Sequence, residues 1–391
     1  MNQNWTIFTR NYFAIFIAVF GFFMNLYILL PVIPLFASAL GVKEALIGLI
    51  VGIFTVAAVI ARILIGPYSS RWPRGFLGLG STIFFFAPLL YLLSDSLLEL
   101  LLIRLFNGIG MVFTLATMIL IANLTPKSRL GEAIGIYGFF IVAAQAAGPV
   151  LSGMLIDMVG YTGTFYVAAG FALLSGLSGA FVKDNLDSQA RLTQMSNVGY
   201  RKVIGNRNVL LASLGIFVLT ITYGMLLAYG PLHLKKIGMS TTYLGFFFTL
   251  VAIGGMIGRP TLGKLSDTKG RAPVIITTML LTALSIYSLS VFVSTNILFL
   301  MALFYGLGFW SAHSVQSALV IETIDSRYRS SALAVFTAIF DFGFSIGSIG
   351  IGLLGGVVTF RYPLLFQITV GILLIGIGIF SYFTRLKKCI S

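Results

Sequence analysis

Apolar runs of about 20 residues, the length of a membrane-spanning helix, recur along almost the whole chain. The first of them, residues 11–36, contains no charged side chain. A run of this length crosses the hydrocarbon core of a bilayer, about 30 Å thick, as a helix. A helix is the expected form because lipid offers no hydrogen-bond partner to a backbone amide or carbonyl group. The hydrophobic content of 58% likewise excludes an ordinary soluble domain.

Turns, polar residues and prolines divide the chain into twelve predicted spans, so we expect an all-α membrane protein. The first run is too long for the core of a signal peptide and lacks a small-residue cleavage site, which favours a retained span. The predicted spans are roughly 11–36, 45–65, 75–94, 97–123, 132–155, 161–183, 209–234, 242–262, 273–293, 296–323, 332–358 and 362–386.

The distribution of basic residues follows the positive-inside rule. With the N-terminus inside, the outer loops hold only Lys43, Lys235, Lys236 and Arg361 of the 25 basic residues. Most of the others lie at predicted inner segments, which places both termini in the cytoplasm and predicts a multi-pass protein of the cytoplasmic membrane. Topology therefore accounts for the net charge of +14, and we expect no nucleic-acid partner.

The residues that usually carry enzymatic chemistry are scarce and scattered. Two histidines and the single Cys389 lie too far apart in the sequence to indicate a zinc site. Residues 258–265 nearly match a phosphate-binding loop, but Leu265 stands where a Ser or Thr should bind magnesium. We therefore expect no enzyme, no metal and no cofactor.

The chain consists of two related halves. Pro34 and Pro231 lie 197 residues apart, as do Arg62 and Arg259, and several Gly and Leu residues match in the same register. Duplicated membrane bundles with a site between them are typical of transporters. The predicted parts are an N-terminal six-helix bundle (residues 1–183), a cytoplasmic linker (184–208) and a C-terminal six-helix bundle (209–391).

The stretch GKLSDTKGR, residues 263–271, forms a predicted loop between the second and third spans of the second half. Its pattern G-x-L-x-D-x-x-G-R resembles the signature loop of the major facilitator superfamily. In the first half Ser70 stands where the second half has Asp267. The resemblance implies a latch that closes the cytoplasmic side, weaker in the first half and partnered by residues 129–132. The gate residues are Gly66, Arg71, Arg74, Arg129, Glu132, Gly263, Asp267, Gly270 and Arg271.

Two further stretches carry the same resemblance. Residues 104–110, RLFNGIG, are similar to a family pattern in the fourth span, with Asn in place of Gln. The fifth span resembles the glycine-proline motif of the drug/proton antiporter branch, although Ala144 and Ser152 replace two usual glycines. The resemblance implies two pseudo-twofold bundles and export coupled to protons. The matching residues of the fifth span are Gly135, Gly148, Pro149 and Gly153.

Ionisable residues within spans are functional candidates because burying them in a bilayer is costly. Asp341, Arg104 and His313 are therefore the predicted proton-coupling residues. The alternatives are a hydrogen bond or salt bridge for Asp341, an Arg104 that snorkels to the outer surface, and a hydrogen-bonded His313. The first span has no acid, which excludes coupling through a first-span carboxylate.

Aromatic and amide side chains on the predicted inner spans are the candidates for lining a substrate cavity. Such a lining suits a lipophilic or mixed-polarity solute. The alternative is that most of these aromatic residues face lipid or neighbouring helices. The candidates are Asn25, Tyr137, Gln145, Tyr223, Tyr229, Phe309, Trp310, Gln316 and Phe340.

These features together predict a secondary transporter that works by alternating access. The first hypothesis is proton-coupled efflux of drugs or other amphiphilic small molecules, with the proton gradient as the energy source. The alternatives are a dedicated exporter of one metabolite or metal-chelating product, and an uptake symporter or facilitator. The expected partners are the small-molecule substrate, protons and membrane lipid, and a monomer suffices for this architecture.

Overall fold

Helices make up almost all of the described chain, and no β-strand occurs in it. The computed structural model describes residues 9–69, 71–183, 200–357 and 360–388. Within these residues, eleven helices are long and apolar enough to cross a membrane. One of the eleven has 51 residues, which is enough for two crossings. The predicted all-α membrane fold with twelve spans is therefore confirmed.

The helices are numbered in chain order. Short 3₁₀ segments precede α6 and α12, and a π-helical turn, Ile346–Gly350, separates α12 from α13. The helices are α1 (Arg10–Ala39), α2 (Glu44–Ser69), α3 (Pro73–Tyr91), α4 (Leu97–Ile109), α5 (Val112–Leu124), α6 (Leu130–Ala180), α7 (Tyr200–Ile204), α8 (Arg207–Lys236), α9 (Thr241–Lys269), α10 (Arg271–Val291), α11 (Thr295–Thr323), α12 (Arg329–Ser345), α13 (Ile351–Val357) and α14 (Tyr362–Lys388).

Helix α9 continues through the stretch that the sequence assigns to a loop. It ends at Lys269, and only Gly270 interrupts the helical backbone before α10 begins at Arg271. Gly270 has a φ of 89°, a conformation that is costly for residues with a Cβ atom. The stretch 263–271 is therefore the last turns of α9, a one-residue hinge and the first residue of α10.

Two other long segments depart from regular helix geometry. Gly160 in α6 has φ 69° and ψ −172°, so the backbone divides α6 into two helices on either side of this residue. These helices correspond to the predicted spans 132–155 and 161–183. In the predicted span 332–358, the π-helical turn shifts the hydrogen-bond pattern between α12 and α13. Such turns inside helices are frequent at functional sites.

The chain forms two compact units. Unit 1 comprises Met1–Leu40 and Ile53–Ser196, and unit 2 comprises Gly41–Gly52 and Asn197–Ser391. The start of α2, within Gly41–Gly52, belongs to unit 2, although the sequence predicts residues 1–183 as one bundle. Residues 184–199 of the predicted linker lie outside the described residues.

The same close helix contact occurs once in each unit. In unit 1, a Cβ atom added to Gly108 would overlap the backbone oxygen of Phe54. In unit 2, a Cβ atom added to Gly306 would overlap the backbone oxygen of Val251. Phe54 and Val251 are 197 positions apart, the offset found in the sequence, and the two glycines are 198 apart, one residue more. A glycine is therefore needed at both crossings, and the repeat predicted from the sequence is also a repeat of packing.

Candidate functional site

An aromatic cluster in unit 2 joins α8, α11 and α12. The ring centroid of Tyr223 lies 4.8 Å from that of Phe309 and 5.7 Å from that of Trp310. Phe309 and Trp310 meet edge to face at 5.1 Å, and Phe309 lies 6.4 Å from Phe340. Four of the nine predicted cavity residues thus lie together. We call Tyr223, Phe309, Trp310 and Phe340 the aromatic cluster.

Two ionisable residues contact the aromatic cluster, and a third follows one of its members in sequence. The guanidinium carbon of Arg259, in α9, lies 4.5 Å from the Trp310 ring centroid. The His313 ring lies 6.0 Å from the Trp310 ring and 5.4 Å from the Phe340 ring. Asp341 follows Phe340 in α12 and is only 8% exposed. An arginine over an indole face gains cation–π stabilisation, which increases when the pair is desolvated.

Arg259 is not among the site residues predicted from the sequence. Its match with Arg62 indicates the duplication of the chain. The close approach of α9 and α11 explains its position, because Gly255 and Gly258 leave room for the Trp310 and Ser311 side chains. The sequence feature that could have indicated Arg259 as a site residue is the presence of an arginine at the same position in both halves.

Arg104 lies inside unit 1, where it is 7% exposed. Its guanidinium carbon lies 4.5 Å from the ring centroid of Phe54, in α2. This contact joins α4 to α2, and the burial of Arg104 does not fit the alternative in which it snorkels to the surface. Its role in proton coupling stays a prediction.

A charge network connects α9, α10 and α11 in unit 2. Arg271 donates two hydrogen bonds to Glu322, from Nε to Oε2 at 3.1 Å and from Nη2 to Oε1 at 2.5 Å. Its Nη1 atom lies 2.6 Å from Oδ1 of Asp267 and donates to the Ser266 hydroxyl. The Arg271 side chain is 19% exposed, whereas both acids are about half exposed. We call Ser266, Asp267, Arg271 and Glu322 the charge network.

The corresponding part of unit 1 is built differently. Arg129 pairs with Glu132 at 3.0 Å, an exposed contact between residues three positions apart. Arg74 donates to the backbone oxygen of Ala180 at 3.4 Å. Ser70, the predicted weak point of the first-half latch, lies outside the described residues. Glu322 is a partner that the sequence did not indicate, because it lies 51 residues from Arg271. The latch role itself stays a prediction.

The glycine-proline motif lies where α6 crosses α1 in unit 1. A Cβ atom added to Gly148 would lie 2.6 Å from Cβ and 3.0 Å from the backbone carbon of Tyr27. Pro149 and Gly153 are also buried. Gly135 differs, because a Cβ atom there would meet no heavy atom within 4 Å. Gly148 therefore allows direct backbone contact between two helices.

Five other predicted cavity residues are buried in helix contacts. Asn25 donates to backbone oxygens of α3 and α6 at 3.0 and 2.7 Å. Gln316 donates to a methionine sulfur of α10 at 3.6 Å, and Tyr229 donates to a backbone oxygen in the π-helical turn at 3.3 Å. Tyr137 and Gln145 are 8% and 7% exposed. None of these five belongs to the aromatic cluster.

A family model matches almost the whole chain. The model is described as Major Facilitator Superfamily, and it matches residues 15–348 and 212–388. The chain belongs to the Major Facilitator Superfamily. It is a multi-pass membrane transporter and not an enzyme, as the sequence predicted.

Individual relatives agree with this family. An uncharacterized MFS-type transporter of Methanocaldococcus jannaschii, MJ1560, is 26% identical over 381 residues, covering 93% of this chain and 97% of the relative. The multi-drug resistance efflux pump PmrA homolog of Lactococcus lactis is 25% identical over 301 residues, covering 72% and 73%. A crystal structure of a variant of the nucleoside transporter NupG superposes with a TM-score of 0.82 at 15% identity, covering 95% and 98%.

Proposed function

We propose that this transporter exports drugs or other amphiphilic small molecules from the cytoplasm in exchange for protons, with both of its termini in the cytoplasm. Relatives that include a multi-drug efflux pump support this substrate class and direction. The glycine-proline motif around Gly148 supports exchange with protons, because it resembles the motif of drug/proton antiporters. The observation that carries the proposal is the aromatic cluster together with the buried Asp341, which follows Phe340 in α12.

The aromatic cluster suits ligands that differ in shape. Its rings meet at 4.8–6.4 Å and present both faces and edges. Aromatic faces bind flat or lipophilic groups without the directional demands of hydrogen bonds. Arg259 and His313 add polar groups at the border. The cluster therefore favours amphiphilic solutes over a sugar, which requires many hydrogen bonds.

Asp341 is the proposed proton carrier of the cycle. It is buried in a membrane-spanning segment and directly follows Phe340 of the aromatic cluster. A carboxyl group at this depth is costly unless it is paired or protonated, so gain and loss of a proton change its preferred surroundings. Release of the proton to the cytoplasm as substrate binds there, and binding of a proton from outside as substrate leaves, would link the two movements.

Transport by the purified protein in liposomes tests the coupling. A pH-sensitive dye is enclosed, a proton gradient is imposed, and substrate classes are added one at a time. We expect substrate-dependent proton flux in the wild type and in Asp95→Asn, which changes an exposed acid, and no flux in Asp341→Asn. Substrate movement without proton flux, equal in all three proteins, would show a facilitator and refute the coupling.

Tryptophan fluorescence tests whether the aromatic cluster binds substrate. The chain has three tryptophans, and Trp310 is the one in the cluster, whereas Trp72 is 70% exposed. We expect a transported dye or drug to quench the fluorescence of the wild type and of Trp72→Phe, but not of Trp310→Phe. Quenching that persists unchanged in Trp310→Phe would place the binding site elsewhere.

The direction of transport is tested in intact cells. Expression of the wild type should lower the accumulation of a fluorescent dye, and a protonophore should abolish the difference. Expression of Asp341→Asn at an equal level should leave accumulation at the level of control cells. Higher accumulation on expression would show uptake and refute export.

A further inference from the structure

A basic pocket lies where α8 ends and α14 begins, away from the aromatic cluster. All of its lining residues belong to unit 2, and its volume is about 600 Å³. Lys236 is the last residue of α8, and Arg361 immediately precedes α14. The basic pocket is defined by His233, Lys236, Phe360, Arg361, Tyr362 and Gln367.

The charge of the basic pocket departs from the positive-inside pattern. Lys236 and Arg361 are two of the four basic residues that the sequence assigns to the outer face, and both line the pocket. None of the described residues that line it is acidic. Glu44, which does not line the pocket, is close enough to Tyr362 to act on it electrostatically. An anion in the pocket would therefore meet two cations and no acid among the lining residues.

Aromatic contacts organise the pocket before a ligand arrives. The Lys236 ammonium nitrogen lies 5.3 Å from the ring centroid of Tyr362. The Tyr362 ring packs at 5.5 Å from Phe360 and at 5.7 Å from His233. Nε2 of His233 lies 2.8 Å from the backbone oxygen of Leu289, which ties the ring to α10. A lysine held in this way loses less conformational entropy when it binds an anion.

We propose that the basic pocket binds a phosphate group, carried by an anionic phospholipid headgroup or by a small phosphorylated solute. Arg361 presents a planar fork that can donate to two phosphate oxygens, and Lys236 adds a point charge. Gln367 can donate a further hydrogen bond. The pocket lies at the ends of two membrane-spanning helices, which is the level of lipid headgroups.

Binding is tested with the full chain in nanodiscs that contain either phosphatidylglycerol or phosphatidylcholine. Lipid retained after delipidation is measured by native mass spectrometry. We expect selective retention of phosphatidylglycerol by the wild type. Lys236→Gln and Arg361→Gln should each weaken retention about fivefold, and the double variant about 25-fold, as expected for basic residues facing an anionic headgroup.

Lys235→Gln is the matched control, because Lys235 has the same charge and is adjacent in sequence but does not line the pocket. It should retain the lipid as the wild type does, and Lys236→Arg should keep most of the affinity. Displacement of the lipid by inorganic phosphate would identify a solute site, and retention in its presence would identify a lipid site. Retention by the double variant equal to that of the wild type, or equal loss in Lys235→Gln, would overturn the proposal.

Discussion

The crossing of α9 and α11 makes Gly306 a packing position of unit 2 that has no room for a side chain. A Cβ atom added there would overlap the backbone oxygen of Val251 and would lie 2.7 Å from its carbonyl carbon and 2.9 Å from its Cα atom. All three neighbours are backbone atoms, so no side-chain rotation can relieve the overlap. The substitution Gly306→Ala must therefore move one helix relative to the other.

The expected cost follows from this geometry. Ordinary van der Waals contact begins at 3.4 Å, so the carbonyl carbon alone, at 2.7 Å, requires a displacement of about 0.7 Å. Overpacking of this kind typically costs about 1–3 kcal/mol. The higher helix propensity of alanine returns up to about 1 kcal/mol. We expect Gly306→Ala to lower the free energy of unfolding by about 1–2 kcal/mol.

Gly371→Ala is the matched control, because Gly371 lies within α14 and a Cβ atom there would meet no heavy atom within 4 Å. Reversible unfolding by SDS in mixed micelles measures both variants. Gly371→Ala should be neutral or stabilising. The displacement of α11 should also weaken substrate quenching of Trp310, which contacts α9 through Arg259. Equal stability of the two variants would refute the packing argument.

Two further predictions use the same unfolding measurement. Glu322→Gln should lower the free energy of unfolding by about 1 kcal/mol or less, because the charge network is partly exposed. A double-mutant cycle with Arg271→Gln should give a coupling energy of similar size, and a coupling energy of zero would show that the pair contributes nothing. Asn25→Leu should cost about 1 kcal/mol, because two hydrogen bonds between helices are lost at about 0.6 kcal/mol each, and a more stable variant would contradict this.

The segment 263–271 shows why part of the structure could not be predicted from local sequence. Gly, Asp and Lys are common in loops, so this composition predicts a loop between two spans. In the structure α9 extends through Lys269, and the charges of Asp267, Arg271 and Glu322 are satisfied by one another across three helices. The third member lies 51 residues from Arg271, and local pattern carries no information about that distance.

The candidate site also depends on contacts that local sequence does not show. The aromatic residues 223, 309, 310 and 340 are four of the nine residues predicted to line a cavity, and these four lie together. Arg259 is not among the predicted site residues, because the positive-inside rule equally explains an arginine near the end of a span. Its place over Trp310 depends on how closely α9 approaches α11, which is a property of the helix pair.

The amino-acid pattern alone specified the twelve spans, the duplication and the membrane transporter class. These properties depend on local hydrophobicity and residue identity, because the bilayer imposes the same requirement on every segment that crosses it. The partners of Arg271, the contacts of the start of α2 and the basic pocket at Lys236 were decided by packing between distant segments. An apolar side chain on the surface of a span can face either lipid or a neighbouring helix, because both are apolar. The sequence therefore does not show which contacts form, and only the tertiary structure does.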